Sequence, residues 1–237
     1  MYFTKRQLLT ILVLFTFLST TATLNAEFVT NSISTPIEFV KFDDISPSVD
    51  LYTIPDLAGQ IITENEEPVK GVEVTLSGDA DATTITDTNG SYILNGMIAN
   101  GDYTVTPQLD TLYENGVSTF DLVLISRHIL TVALLDSPYK LIAADIDNSG
   151  SISVLDLISL RRLILSIDDA FEHTTSWRFV DATYVFPDPT DPWLEPFPEV
   201  IDDFTNTSSA HGDFIAIKIG DVSGDASTNF TEVEDRQ

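Results

Sequence analysis

Asp145, Asp147, Ser149, Ser153 and Asp156 fall at positions one, three, five, nine and twelve of a twelve-residue loop, with Gly150 at six and Ile152 at eight. Oxygen side chains at this spacing suit a hard cation. Calcium takes six to eight oxygen ligands, and a glycine at position six allows the sharp turn that points alternate residues inward. Ser151 at position seven offers its backbone carbonyl, and Ser153 acts directly or through water. Ile152 is expected to face the fold and stitch the loop to a neighbour. The residues from Leu157 to Leu165 follow at helical spacing, so the loop should run straight into a helix.

The loop departs from the common EF-hand pattern at two places, with serine at position five and aspartate rather than glutamate at position twelve. The shorter aspartate arm requires the exiting helix to sit closer to the ion. No helical pattern precedes the loop. A loop followed by a helix, with aspartate closing the loop, resembles a type I dockerin repeat.

Dockerins carry two such repeats, and residues 110 to 130 match the 145–165 copy without a gap. Val117 aligns with Ile152, Ser118 with Ser153, Asp121 with Asp156, Arg127 with Arg162 and Leu130 with Leu165. In this copy Asp110 takes position one and Glu114 position five, while Leu112 stands at three and Asn115 at six. Asparagine tolerates the left-handed conformation, but leucine offers a cation nothing. The loop formed by Asp110, Glu114, Ser118 and Asp121 is therefore a degenerate metal site. A further acidic turn starts at Asp221, Ser223 and Asp225, with Ala226 where glycine would be needed and Glu232 at position twelve. It reads as a solvated turn, or as the source of an oxygen for the incomplete first loop.

The dockerin resemblance also implies a partner face, set by loop positions ten and eleven and by two residues early in each helix. Here these are Thr119, Phe120, Ser126 and Arg127 in copy one, and Val154, Leu155, Arg161 and Arg162 in copy two. The expected partner is a cohesin-like or other surface protein. The alternative is that Phe120 and Leu155 are buried between the helices, and that the arginines neutralise Asp168 and Asp169.

These loops need a frame, and the chain from Leu57 to Val105 supplies short alternating runs. Val72, Val74 and Leu76 alternate with Glu73 and Thr75 as in a half-buried strand, and Asp87-Thr-Asn-Gly90 is a hairpin-type turn. Gly59, Pro68, Gly71-Val-Glu-Val, Gly90-Ser-Tyr92 and Gly101-Asp-Tyr-Thr-Val105 resemble the carboxypeptidase regulatory-like and Cna-B-like β-sandwich family. That resemblance implies a stalk or spacer.

After the second helix, Trp177-Arg-Phe-Val-Asp181 and Lys218-Ile-Gly-Asp-Val-Ser-Gly224 resemble the extended dockerin-like module of large exported proteins from Bacteroidetes-type bacteria. Ile215, Ile217 and Ile219 alternate as a strand. Trp177, Phe179, Tyr184 and Trp193 either stack on sugars or fill a core made where the extension folds over the helices.

The expected fold is thus multi-domain, β followed by α+β. A signal peptide covers residues 1–26, a linker 27–56 and the small all-β sandwich 57–107. Two dockerin-like loop-helix (half EF-hand) repeats span 108–168, a β-containing aromatic and proline-rich extension 169–227, and a tail 228–237. The signal peptide rests on Lys5 and Arg6 ahead of an apolar run from Leu8 to Leu18, too short to span a bilayer, with small residues around Ala26. No membrane insertion is expected after its cleavage, and the mature chain should be secreted or held at the cell surface.

The formal net charge is −26, which argues against nucleic acid and anionic membranes as partners and favours divalent cations. The absence of cysteine excludes disulfides and thiol chemistry. His128, His173 and His211 lack the HExxH spacing, and no nucleophile elbow occurs, so a non-catalytic chain is expected. Its leading reading is a calcium-binding interaction or anchoring module. The runners-up are a carbohydrate-binding accessory module of a polysaccharide-degrading or adhesive surface system, and a fragment of a larger surface protein.

Overall fold

The computed structural model describes residues 57–97, 101–205 and 212–229. The residues expected to form a signal peptide and linker, His211 and the end of the expected tail lie outside them.

Two four-stranded sheets and three helices make up the described chain. The strands are β1 (Leu57–Ile62), β2 (Glu73–Gly78), β3 (Ala82–Ile85), β4 (Ser91–Leu94), β5 (Asp102–Gln108), β6 (Trp177–Asp181), β7 (Ile201–Thr205) and β8 (Phe214–Lys218). The helices are α1 (Thr119–Ile129), α2 (Pro138–Ala144) and α3 (Val154–Ile164). One sheet has the order β4-β1-β8-β6 and the other β3-β2-β5-β7.

The turn at Asp87 forms as expected, with Gly90 at φ +69° and the Asp87 carboxylate accepting from the amides of Asn89 (2.8 Å) and Ser91 (3.0 Å). It does not make a hairpin. It carries the chain from β3, which pairs with β2, to β4, which pairs with β1 in the opposite sheet.

The sandwich is not confined to residues 57–107. β8 runs parallel to β1, with Ile61 opposite Phe214, β6 pairs antiparallel with β8, and β7 pairs with β5. Strands from the extension thus complete both sheets, and all described residues fall in one compact unit. The expectation of separate β and dockerin-like domains is corrected accordingly. Of the strands before the helices, β1 and β5 would each present an open edge without the partners contributed after the helices, β8 and β7.

Alternation along β8 shows how the halves are fused. Phe214 and Ala216 belong to the sandwich core with Val74, Leu76, Tyr103 and Trp177. Ile217 and Ile219 belong to a second core with Ile125, Ile142, Leu160 and Leu163 of the helices. One sheet therefore packs against the other sheet on one face and against helices on its opposite face, as the two-residue side-chain period allows. Trp177 and Phe179 fill the sandwich core rather than a core beneath the helices, while Phe186 and the half-buried Tyr184 pack with the helices.

Both longer helices start on a capping box. Ser118 and Ser153 are the N-caps, and Asp121 and Asp156 return to the cap amides at 2.9 and 2.7 Å. A helix also precedes the second loop, contrary to expectation: α2 is short, begins at Pro138, and ends directly on Asp145.

Candidate metal centre

Loop two converges as its spacing predicts. One carboxylate oxygen from each of Asp145, Asp147 and Asp156 lies within 4.8 Å of the others. Asp145 and Asp156 are fully buried, and Asp147 is half-buried.

Backbone amides fix these carboxylates. Asp145 Oδ1 accepts from Ser149 N (2.8 Å) and Oδ2 from Gly150 N (2.9 Å). Asp156 Oδ1 accepts from Ile146 N (2.7 Å) and Asp147 N (3.1 Å), and its Oδ2 from Ser153 N. Asp147 accepts from Ser149 N at 3.2 Å. The loop thus winds around its own acids, with Asn148 (φ +52°) and Gly150 (φ +77°) supplying the left-handed residues. Ser149 Oγ donates to the Ser151 carbonyl at 3.2 Å and lies 3.2 Å from the Ser151 hydroxyl, so these oxygens share the loop's exposed rim.

Burial is the main cause that raises the Asp145 carboxyl above its usual range, with neighbouring Asp156 and Asp147 adding to it and the amides of Gly150 and Ser149 opposing. Burial likewise raises Asp156, and Asp147 adds to it. Carboxylates that repel one another in a dry site gain from a bound cation, since the same burial strengthens the attraction. Asp145 Oδ2 and Asp156 Oδ2 accept one amide each and keep lone-pair capacity for a cation, whereas Asp156 Oδ1 already accepts two. Three carboxylates with serine and backbone oxygens form a donor set for a hard divalent ion such as calcium.

Loop one is built differently from expectation. Asp110 does not meet Asp121. It accepts from Tyr113 Oη (2.5 Å) and from Ser176 N (2.9 Å), tying the loop to the start of β6. The left-handed residues are Leu112 (φ +54°) and Gly116 (φ +72°) rather than Asn115. Asn115 instead clamps the backbone of Ser227, donating to its carbonyl at 2.8 Å and accepting from its amide at 2.9 Å. Glu114 is exposed.

The place of Asp110 is taken by Asp221. Asp121 Oδ1 accepts from Val222 N (3.0 Å) and Ser223 N (2.9 Å), the same pattern that Asp156 makes with Ile146 and Asp147. Asp221 accepts from Gly224 N (2.7 Å) and Ala226 N (2.8 Å), much as Asp145 accepts from Ser149 and Gly150. Gly116 sits so close to this segment that a side chain there would meet Ala226 at 2.6 Å. Residues 221–226 thus supply the front half of loop one, and residues 116–121 its back half. Asp121 is fully buried, and burial raises the Asp221 carboxyl with help from Asp121. Lys218 reaches the same corner, donating to the carbonyls of Tyr113 (2.9 Å) and Ile219 (3.1 Å).

The residues expected to face a partner are exposed. Phe120 (57%), Val154 (59%) and Leu155 (61%) stand free of the space between the helices. Val123 and Ile158 on α1 and α3, and their C-caps Leu130 and Leu165, extend the face at matching positions. Thr119, Arg127 and Arg161 are also exposed, whereas Ser126 Oγ turns back onto the Leu122 carbonyl. Arg162 holds Asp168 through two bonds, at 2.5 and 2.6 Å. His128 Nδ1 accepts from Leu135 N and shapes the turn after α1.

Residues 56–134 match the family model of the carboxypeptidase regulatory-like domain, a domain type without catalytic residues of its own. The match covers β1 to β5 and α1, about a third of the chain. Neither the curated proteins nor the solved structures contain a match. Among the described residues no helix is long and apolar enough to cross a membrane.

Proposed function

We propose that the protein is an exported, non-catalytic calcium-binding protein whose dockerin-like pair of loop-helix repeats acts as an interaction or anchoring module, with the β-sandwich as its scaffold. The observation that carries this reading is the convergence of Asp145, Asp147 and Asp156 on one point inside an amide-lined loop. Asp145, Asp147 and Asp156 would hold the ion, with Ser149, the Ser151 carbonyl and Ser153 completing the set. Three carboxylates among neutral oxygens suit an affinity on the order of 10⁻⁶ to 10⁻⁴ M. The exposed face of α1 and α3 would receive a cohesin-like or other surface protein, because paired apolar residues flanked by Arg127 and Arg161 offer anchors in an otherwise acidic chain.

Sugar contact gains less support. Trp177 and Phe179 are spent in the sandwich core, and Tyr184 packs on Phe186 with ring centroids 5.1 Å apart.

Calorimetry tests the calcium reading. Asp145→Asn combined with Asp147→Asn removes two charges from the loop and should abolish measurable binding, while Asp110→Ala should leave it intact. Unchanged calcium affinity in the double variant would overturn the assignment.

A further inference from the structure

Loop two is gripped from outside by the chain that follows the helices. Arg178, on β6, donates Nε and Nη2 to the two oxygens of Glu199 (2.7 and 3.0 Å) and Nη1 to Asn148 Oδ1 (2.9 Å). Its guanidinium lies over the Phe197 ring, 5.0 Å from the centroid. Only 12% of the Arg178 side chain is exposed, so its fork is held in one geometry. Asn148 is position four of the loop, sits between Asp147 and Ser149, and holds φ at +52°. On the other side, the Trp193 ring lies 3.8 Å from where a β-carbon on Gly150 would stand. Neither Arg178 nor Trp193 belongs to the loop-helix repeats, and neither was singled out for the metal site from the sequence.

We infer that Arg178 is a positioning residue for the calcium loop, setting the affinity of loop two by holding Asn148 and thereby the carboxylate of Asp147 and the backbone of Ser149. This rests on the calcium reading of loop two. Asn148 adopts a backbone conformation that non-glycine residues populate sparsely, so without an external tether the loop has other conformations open to it. A group that restricts those conformations raises affinity by lowering the ordering required on binding. Outer partners of metal ligands typically change affinity by about 10- to 100-fold when removed. Because Arg178 is also a strand residue, opposite Ile217 on β8, the same contact ties occupancy of the loop to the sheet that separates the two cores.

The test is a calcium titration of the full chain, followed by calorimetry and by Trp193 emission. The other tryptophan, Trp177, is buried in the sandwich core beside Arg178, so a Trp193→Phe control gives its share of the signal. Arg178→Met and Asn148→Gly should each weaken calcium binding about tenfold, and the double variant should be no weaker than either single one. Glycine tolerates the positive φ, so Asn148→Gly should lose affinity with its melting temperature kept in the presence of chelator. Parental affinity in Asn148→Gly, or losses that multiply in the double variant, would overturn the inference. Parental affinity in Asp145→Asn/Asp147→Asn would instead remove the calcium reading itself, so the two failures are distinguishable.

Discussion

Asp121 and Asp156 make the same hydrogen bonds in two half-sites, and replacing each by alanine should separate the structural part of the architecture from its calcium-dependent part. Both side chains are fully buried. Asp156→Ala strands the buried amide of Ile146 and removes the capping bond to Ser153. Asp121→Ala strands the buried amide of Val222 and removes the corresponding bond to Ser118. A stranded buried amide costs about 1–3 kcal/mol and a lost cap about 1 kcal/mol. Each variant should therefore lose about 2–4 kcal/mol in chelator. In a unit of this size each kcal/mol lowers the melting temperature by about 2–4 °C, so the drop should be plain in a thermal scan. Calcium then distinguishes the pair. At a hundredfold excess over Kd the ion adds about 2.7 kcal/mol to the parent. Asp121→Ala should keep that increment, and Asp156→Ala should lose it. Denaturation of both variants in calcium and in chelator reads all four quantities. An equal increment in Asp156→Ala and parent would refute the placement of calcium in loop two. A cost below about 1 kcal/mol for Asp121→Ala in chelator would refute the reasoning that its two amide bonds to residues 222 and 223 hold the C-terminal segment.

Burial lowers the Lys218 ammonium to about 7, with Asp221 and Asp121 pulling the other way, so between about pH 7 and its unfolded value near 10.5 the unfolded chain binds more protons. Stability in chelator should rise with pH through that window, and Lys218→Met should flatten the rise in urea midpoints; a parental slope in the variant would refute the effect. On the partner face, Phe120→Glu with Leu155→Glu should eliminate calcium-dependent capture of a secreted partner at unchanged melting temperature, because both side chains are more than half exposed. Capture that persists would move the docking site elsewhere.

Loop two was legible in the sequence because everything it needs is local: twelve contiguous residues hold the acids, the turn residues and the cap, and periodicity announces the helix behind them. Loop one was legible only as one alternative, the Asp221 turn as the source of an oxygen, because its front half comes from residues 221–226, a hundred positions downstream of Asp121. The acid spacing at Asp221, Ser223 and Asp225 is visible in the chain, but no one-dimensional pattern pairs it with Ser118 and Asp121. The same physics hid the architecture. Alternation at Ile215, Ile217 and Ile219 marks a strand, yet a parallel pairing with β1 closes a loop of about 150 residues, and period-two patterning carries no information about the neighbour. What alternation did contain, and only the assembled sheet makes readable, is that both faces of β8 are apolar as far as Lys218. A strand at the edge of a small exposed module would keep one polar face; one that separates two cores cannot. Phe214, Ala216, Ile217 and Ile219 therefore already specify that the helices and the sandwich fold as one body. A ligand held by loop two would act on that whole body, because α2 ends on Asp145 and the amide of Gly220, just beyond β8, donates to the Ala143 carbonyl at 2.8 Å.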